Sequence, residues 1–435
     1  MYKGKIKTVD EALELIKSGD VIVSGLAASE GQQFFTNLHK IADKVTDVTI
    51  VNCLPLIDAE YFTNSEYANS FNVDAFFYTA TLRKAKQNGN ISFIPNHLHL
   101  SGKKRFEYQK PTVFVGNATY PDKHGFVSLS LSNVYEQSAI KKADIVILEV
   151  NHNLPRTFGD VELHIDDIDV IIETDYAIST LPTIKSNERD LQIGSYISEY
   201  INDGDCIQLG IGGIPNGVAA SLMDKKDLGI HTEMFTTGMM ELVKAGVVTN
   251  KKKQTHINKS VCAFALGSRE LYEFLDDNPS VLVMDGNYVN DPYVIGLNDN
   301  QVSINTSIEV DLTGQCASES IGPVQFSGTG GQADTAIGAQ RSKNGKSFIA
   351  LYSTANVKNK ITGEREVISK IVPTLKNGAA VTLSRNDVDY VVTEYGVAPL
   401  RGTTIKDRVE LLISIAHPDF REELRKQAKE IGFIE

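Results

Sequence analysis

Apolar residues recur along this chain in two rhythms, and the same succession of rhythms occurs twice. Thr8 and Glu11 have capping-box spacing, Ala12, Leu13, Leu15 and Ile16 fall on one helical face, and Gly19 supplies a stop. Asp20-Val-Ile-Val-Ser24 is then a continuous apolar run of strand length, closed by Gly25. Near residue 190 the order returns: Ile193, Ile197, Tyr200 and Ile201 are spaced as on a helix, Gly204 ends it, and Cys206-Ile-Gln-Leu209 reads as a strand running into Gly210. Aligning Ile16–Gly25 with Ile201–Gly210 matches Ile, Gly, Asp, Ile and Gly at an offset of 185. A second echo pairs Ala143–Val150 with Val388–Tyr395. Apolar runs at Ile145–Val150, Val170–Ile172 and Val388–Val392 alternate with helical stretches, as in mostly parallel sheets covered on both faces. The expected fold is α/β, with two tandem related open domains over residues 1–185 and 186–435 and a polar join near Leu181–Glu188.

Composition narrows the function without naming it. A chain of 435 residues exceeds one ordinary core, and 42% hydrophobic with 23% charged residues is the balance of a soluble globular protein. A net charge of −12 lacks the basic footprint that nucleic-acid binding needs. No segment approaches the ~20 apolar residues of a membrane span, and the first residues lack a signal-peptide core, so a cytoplasmic protein is expected. Cys53, Cys206, Cys262 and Cys316 are scattered, and nine histidines include no HExxH spacing, so no metal site or disulfide framework is expected.

The chemistry concentrates in the second copy. Where the first half has Gly25-Leu-Ala-Ala-Ser-Glu30, the second has Gly210-Ile-Gly-Gly-Ile-Pro215, followed by an apolar helix whose N-terminal amides begin beside the glycines. Such a turn either admits a bulky anionic ligand close to the backbone or is simply tight. The chain lacks the Gly-Lys-Ser/Thr of a P-loop and the full dinucleotide spacing, which favours coenzyme A over ATP or NAD. Glu233 stands in an otherwise apolar or small run, Leu228–Phe235, broken only by His231; it is either a strand-end carboxylate facing a cleft or a paired core residue. Ser327-Gly-Thr-Gly-Gly-Gln-Ala-Asp334 could offer backbone amides to an oxyanion or be a flexible loop, Asn290 before Asp-Pro reads as a turn residue, and Lys251–Lys253 reads as a solvated loop. No Gly-x-Ser-x-Gly elbow is present. With the cofactor in the second half, the first half would shape the opposite wall of the cleft.

Together Gly210–Asn216, Gly229-Ile-His-Thr-Glu-Met234, Gly246–Lys253, Val310–Gln315 with Ser318–Gly322, Ser327–Gln332, and Thr393–Ala398 followed by Ile415–Arg421 resemble the acetyl-CoA hydrolase/transferase family, in its 4-hydroxybutyrate and butyrate CoA-transferase branch. The resemblance implies two open α/β domains of the CoA-transferase type. It also implies a ping-pong exchange of CoA between a short-chain acyl-CoA and acetate through a glutamyl-CoA thioester at Glu233, with acyl-CoA hydrolysis as the alternative. By the same likeness Gly210, Ile211, Gly212, Gly213 and Ile214 hold CoA, Asn290, Gly330 and Gly331 border the reacting thioester, and Ile308 and Ala355 line the CoA channel. CoA is then substrate and covalent intermediate, no cofactor is bound permanently, and a homodimer or higher homo-oligomer is expected. The chain departs from the family at Thr236-Thr237-Gly238, where relatives usually carry Ser-Asp-Gly.

Overall fold

The computed structural model describes residues 2–182, 184–358 and 363–435, so Thr183 within the expected join lies outside the described residues. Strands β1 (Val21–Ser24), β2 (Val48–Asn52), β3 (Phe71–Ala75), β4 (Ile91–Phe93), β5 (Val113–Ala118) and β6 (Ile145–Asn151) belong to the first of two large sheets. The next strand, β7 (Phe158–Gly159), leaves that sheet, and β8 (Val170–Thr174) completes it in the order β8-β6-β5-β1-β2-β3-β4, every neighbouring pair parallel. The second sheet contains β9 (Cys206–Leu209), β10 (Gly229–Phe235), β11 (Ser260–Ala265), β12 (Val281–Val283), β13 (Gln301–Thr306), β14 (Lys346–Ala350), β15 (Tyr390–Thr393) and β16 (Gly396–Pro399). Its order is β16-β15-β14-β13-β9-β10-β11-β12-β7, parallel except for the β15–β16 hairpin.

From β12 to β15 the second sheet repeats the first strand for strand, with β9 in the place of β1. The correspondence reaches individual hydrogen bonds. Gly19 (φ +81°) and Gly204 (φ +86°) both adopt the left-handed turn that L side chains disfavour. Asp20 Oδ2 accepts from the Lys17 N–H at 2.7 Å, and Asp205 Oδ2 from the Asn202 N–H at 2.9 Å. Gly25 donates to Val115 O at 2.9 Å and Gly210 to Ile304 O at 3.0 Å. Both first strands are buried throughout, which is why they read as apolar runs and not as alternation.

The second echo is displaced by one strand. Ala143–Val150 leads into β6, but Val388–Tyr395 forms β15, which takes the place of β8. The side chains agree with this placement: Asp169, just before β8, accepts from the Val146 N–H at 2.8 Å, and Asp389, just before β15, accepts from the Ser347 N–H at 3.1 Å. An aspartate preceding an apolar run marks any strand whose start must bond to its neighbour, so similar stretches need not be equivalent.

The two sheets share an interior. One apolar cluster includes Leu26, Phe76 and Leu129 with Leu209, Phe264 and Ile304. Backbone bonds cross between the halves, from Asn133 N–H to Ala263 O (2.9 Å) and from Ala265 N–H to Leu131 O (2.8 Å). This seam sets the carboxyl ends of the two sheets against one another, where ligands bind in open α/β folds.

Candidate active site

Between those ends lies a cavity of ≈ 250 Å³, walled by Leu26, Cys53, Leu54, Phe76 and Phe77 from the first half and by the ends of β9, β10 and β13 with the Ser327–Gln332 loop from the second. The opposite wall thus comes from the first half, as expected. Glu233, near the end of β10, faces the cavity. Among the described residues no lysine or arginine bridges its carboxylate. Instead, Asn290 Nδ2 donates to Glu233 Oε2 at 2.9 Å.

Asn290 is more than a turn residue. It closes the short helix Gly286–Val289, is 1% exposed, and its Oδ1 has no protein partner. The backbone of Gly331, which caps the helix Gln332–Arg341 at the end of the Ser327–Gln332 loop, lies so close that a Cβ there would overlap both the Glu233 carboxylate and the Asn290 amide. Burial pushes the Glu233 pKa from 4.5 to about 7; the Asn290 bond and the Gly331 N–H pull it down, while Asp334 pushes it up. The carboxylate is half-buried and keeps access to the cavity.

The strand bearing Glu233 is fixed from behind. His231 Nε2 donates to Val289 O at 2.8 Å, tying β10 to the helix that carries Asn290. Burial, with Lys253 nearby, lowers the His231 pKa to about 3, so the ring is neutral and Nε2 bears the proton. Lys253 corrects the reading of Lys251–Lys253 as solvated. Lys251 and Lys252 are exposed, but Lys253 is 3% exposed, donates to Ile230 O (2.8 Å) and Lys259 O (2.7 Å), and is pushed down to about 8 by burial.

The glycine segment divides among three tasks. Gly210 and Ile211 line the cavity, and Ile211, 51% exposed, also borders a second cavity of ≈ 470 Å³ lined by Gly212, Leu181 and Thr236. Gly212 (φ +122°) caps the helix Gly213–Ala220; Gly213 packs on Asp190, and Ile214 is buried. Gly330 and Gly331 line the main cavity, and their loop is anchored, not free: Tyr78 N–H donates to Ser327 O at 3.2 Å, and Gly328 pairs with Phe77. Ile308 and Ala355 stand outside the cavity lining. Ile308 N–H donates to Ala317 O, and Ala355 pairs with Ile368 in the hairpin of Thr354–Lys358 with Arg365–Ser369. Thr236 caps the helix Thr237–Lys244 and Thr237 Oγ1 accepts from the Ser268 N–H, so both replaced positions face the second cavity.

Sequence reasoning missed the polar floor of the site. Gln208 Oε1 accepts from Ser303 Oγ at 3.0 Å and from the Ile304 N–H at 3.2 Å, and Asn305 Nδ2 donates to Thr335 Oγ1 at 2.9 Å. A glutamine inside a four-residue buried strand was the available signal.

Two sheets of one topology meet over a glutamate flanked by a side-chain amide and a glycine backbone, an arrangement suited to acyl transfer in a two-half α/β fold. The chain belongs to the acetyl-CoA hydrolase/transferase family: its N-terminal domain profile matches residues 1–182 and its C-terminal domain profile residues 267–428. The chain is 44% identical over 434 residues to the succinyl-CoA:cyclohexane-1-carboxylate CoA transferase of Geobacter metallireducens, covering 100% of this chain and 97% of that protein. It is 42% identical to the 4-hydroxybutyrate coenzyme A transferase of Clostridium kluyveri, covering 99% and 98%. The solved structure of RipA from Yersinia pestis superposes with a TM-score of 0.93 at 33% identity, covering 100% and 99%. The protein is an enzyme of the CoA-transferase class, with CoA as its substrate. Among the described residues no helix is long and apolar enough to cross a membrane, and no group of three or more His, Cys, Asp or Glu could hold a metal ion.

Proposed function

We propose that the protein moves CoA between a short-chain acyl-CoA, of the butyryl or 4-hydroxybutyryl type, and acetate through a glutamyl-CoA thioester on Glu233. Residues 186–435 supply the nucleophile and the CoA contacts, and residues 1–185 supply the wall against the acyl group. The observation that carries this reading is the ionisable carboxylate of Glu233, turned into the cavity between the two halves and bonded to Asn290 instead of to a cation.

A Glu233 oxygen attacks the acyl carbonyl carbon; the carbon–sulfur bond breaks, leaving a mixed anhydride and the CoA thiolate. The thiolate attacks the glutamyl carbonyl, the bond from that carbonyl to the bridging oxygen breaks, and the first acid departs as its carboxylate. The second acid runs the same steps in reverse, so the thioester energy is kept and no ATP is consumed. Each tetrahedral intermediate places negative charge on an oxygen. Asn290 Nδ2, already 2.9 Å from Glu233 Oε2, and the Gly331 N–H are the donors for it, and one such donor is worth about 3 kcal/mol. Gly210 and Ile211 guide the pantetheine arm, and Ile211 at the junction of the two cavities supports that path. The enzyme works in the cytoplasm as a homodimer or higher homo-oligomer.

Intact-protein mass spectrometry after mixing with butyryl-CoA alone, followed by peptide mapping, tests the intermediate: a CoA adduct on Glu233 is expected, and its absence rejects the assignment. Adding acetate separates transferase from hydrolase. A transferase forms acetyl-CoA, whereas a hydrolase only releases thiol.

A further inference from the structure

The first-half wall of the cavity carries strain that the transfer chemistry does not explain. Of the described non-glycine residues with positive φ, the two aliphatic ones are Ala27 (φ +51°) and Leu54 (φ +55°); the others are Asp, Asn, Ser or His. Left-handed backbone is costly for such residues and persists only where surrounding structure over-determines it. Both sit at this wall: Ala27 follows the lining residue Leu26, and Leu54 lines the cavity itself. The two turns are joined, since the Ala27 N–H donates to Cys53 O at 3.3 Å.

Buried carboxylates hold both turns. Glu30, 3% exposed, accepts on one oxygen from the N–H groups of Leu56 (2.8 Å) and Ile57 (2.9 Å), just beyond Leu54. Glu136, 1% exposed, accepts from the Leu26 N–H at 2.9 Å. Neither has a lysine or arginine partner among the described residues. A buried carboxylate without a cation is expensive to retain, and neither touches Glu233 or takes part in the exchange. Among the described residues, no charged side chain besides Glu233 lines the cavity.

We propose that Glu30 is a positioning residue for acyl selection: it clamps the Leu54 turn against the Ala27 turn, so that Leu26 and Leu54 stand as an apolar wall admitting an uncharged acyl chain and rejecting a dicarboxylic acid. The proposal rests on the CoA-transferase reading of this cavity. A second carboxylate on the acid would stand against Leu26, Leu54 and Phe76 with no cation among the described lining residues to meet it. Burial raises the Glu30 pKa to about 8, which favours the neutral acid near pH 7, and a glutamine amide oxygen can accept both bonds in its place.

The test compares butyrate, hexanoate and succinate as acceptors from acetyl-CoA, with KM for acid and for acetyl-CoA determined separately. Wild type is expected to favour butyrate over succinate by at least about 100-fold in kcat/KM. Glu30→Gln should keep that profile. Glu30→Ala should raise KM for butyrate about tenfold and flatten the preference for butyrate over hexanoate, with KM for acetyl-CoA unchanged. Leu54→Gly, which relieves the backbone while deleting the wall side chain, gives a variant not dependent on the clamp and should shift preference toward hexanoate. Equal use of succinate and butyrate by wild type, or an unaltered acid profile in Leu54→Gly, overturns the proposal. So does a Glu30→Ala enzyme that loses acid and acetyl-CoA binding in parallel. Absence of transfer to every acid by wild type would instead reject the transferase reading itself.

Discussion

Glu233 carries a conflict between function and stability that makes its role measurable. Its folded pKa, raised to about 7 from 4.5, means that the folded protein binds its proton more tightly than the unfolded chain does. Stability tied to this group is therefore greatest below 4.5 and declines as pH rises from 4.5 to about 7. Attack requires the ionised form, so kcat/KM should rise with pH through about 7 and then level off, as a pH–rate profile will record. Glu233→Gln should abolish exchange, yet raise the unfolding free energy at pH 8 by about 1 kcal/mol, read from denaturant titration, because a neutral amide replaces a desolvated charge. Unaltered exchange in that variant would remove Glu233 from the mechanism. Asn290→Ala deletes a donor that favours the ionised carboxylate and faces the developing oxyanion. It should lower kcat by about 10²-fold and move the pH–rate midpoint upward.

At the scale of elements, the chain reuses one unit, a left-handed glycine turn followed by a buried strand and a second glycine. Gly19 has open space around its missing Cβ, and Gly204 meets only the flexible Lys252 stem. Alanine at either position therefore faces the same backbone penalty, and at Gly204 the Lys252 stem, 3.3 Å away, must also yield slightly. Gly19→Ala and Gly204→Ala should each cost about 1–2 kcal/mol of stability in urea titrations, with transfer by the folded enzyme unchanged. Gly331→Ala differs in kind. Its Cβ would collide with Glu233 and Asn290, so kcat should fall by on the order of 100-fold, with an overpacking cost of about 1–3 kcal/mol in stability. The strand pattern was legible in the apolar runs because both sheets are parallel, apart from the β15–β16 hairpin, and their central strands are buried on both faces. The pairing of the second echo was not, because an aspartate before an apolar run caps β6 in one half and β14 in the other from whichever strand lies alongside.

At the scale of the molecule, the two halves are joined across the site by His99 and Asp334. His99 Nδ1 lies 2.9 Å from Asp334 Oδ1, its backbone N–H donates to Oδ2 at 3.1 Å, and His97 approaches at 3.5 Å. Burial opposes protonation of His99, but the bond and charge of Asp334 outweigh it and raise the pKa above 6.5. A raised histidine pKa contributes stability that is complete below 6.5 and is lost as pH climbs through the folded value. Asp334→Asn should flatten that slope in unfolding experiments. It should also lower the midpoint of the pH–rate profile, because Asp334 is one of the groups raising Glu233. Movement of one readout without the other would show that the link across the cleft and the tuning of the nucleophile are separate.

The amino-acid sequence alone determined the α/β class, the repetition at an offset of 185, the family, and the candidacy of Glu233 with its two glycine segments. Each of these is written in local spacing: periodicity, turn glycines and ordered motifs survive without knowledge of what they touch. Tertiary structure decided between a cleft carboxylate and a core ion pair at position 233, turned Asn290 from a punctuation residue into the partner of that carboxylate, and left Ile308 and Ala355 outside the cavity lining. It also buried Lys253 under β10 and brought Glu30 to the turn at Leu54. Those outcomes depend on residues tens to hundreds of positions apart meeting where two sheets abut, and the hydrogen bonds and desolvation that set their chemistry exist only once that seam has closed.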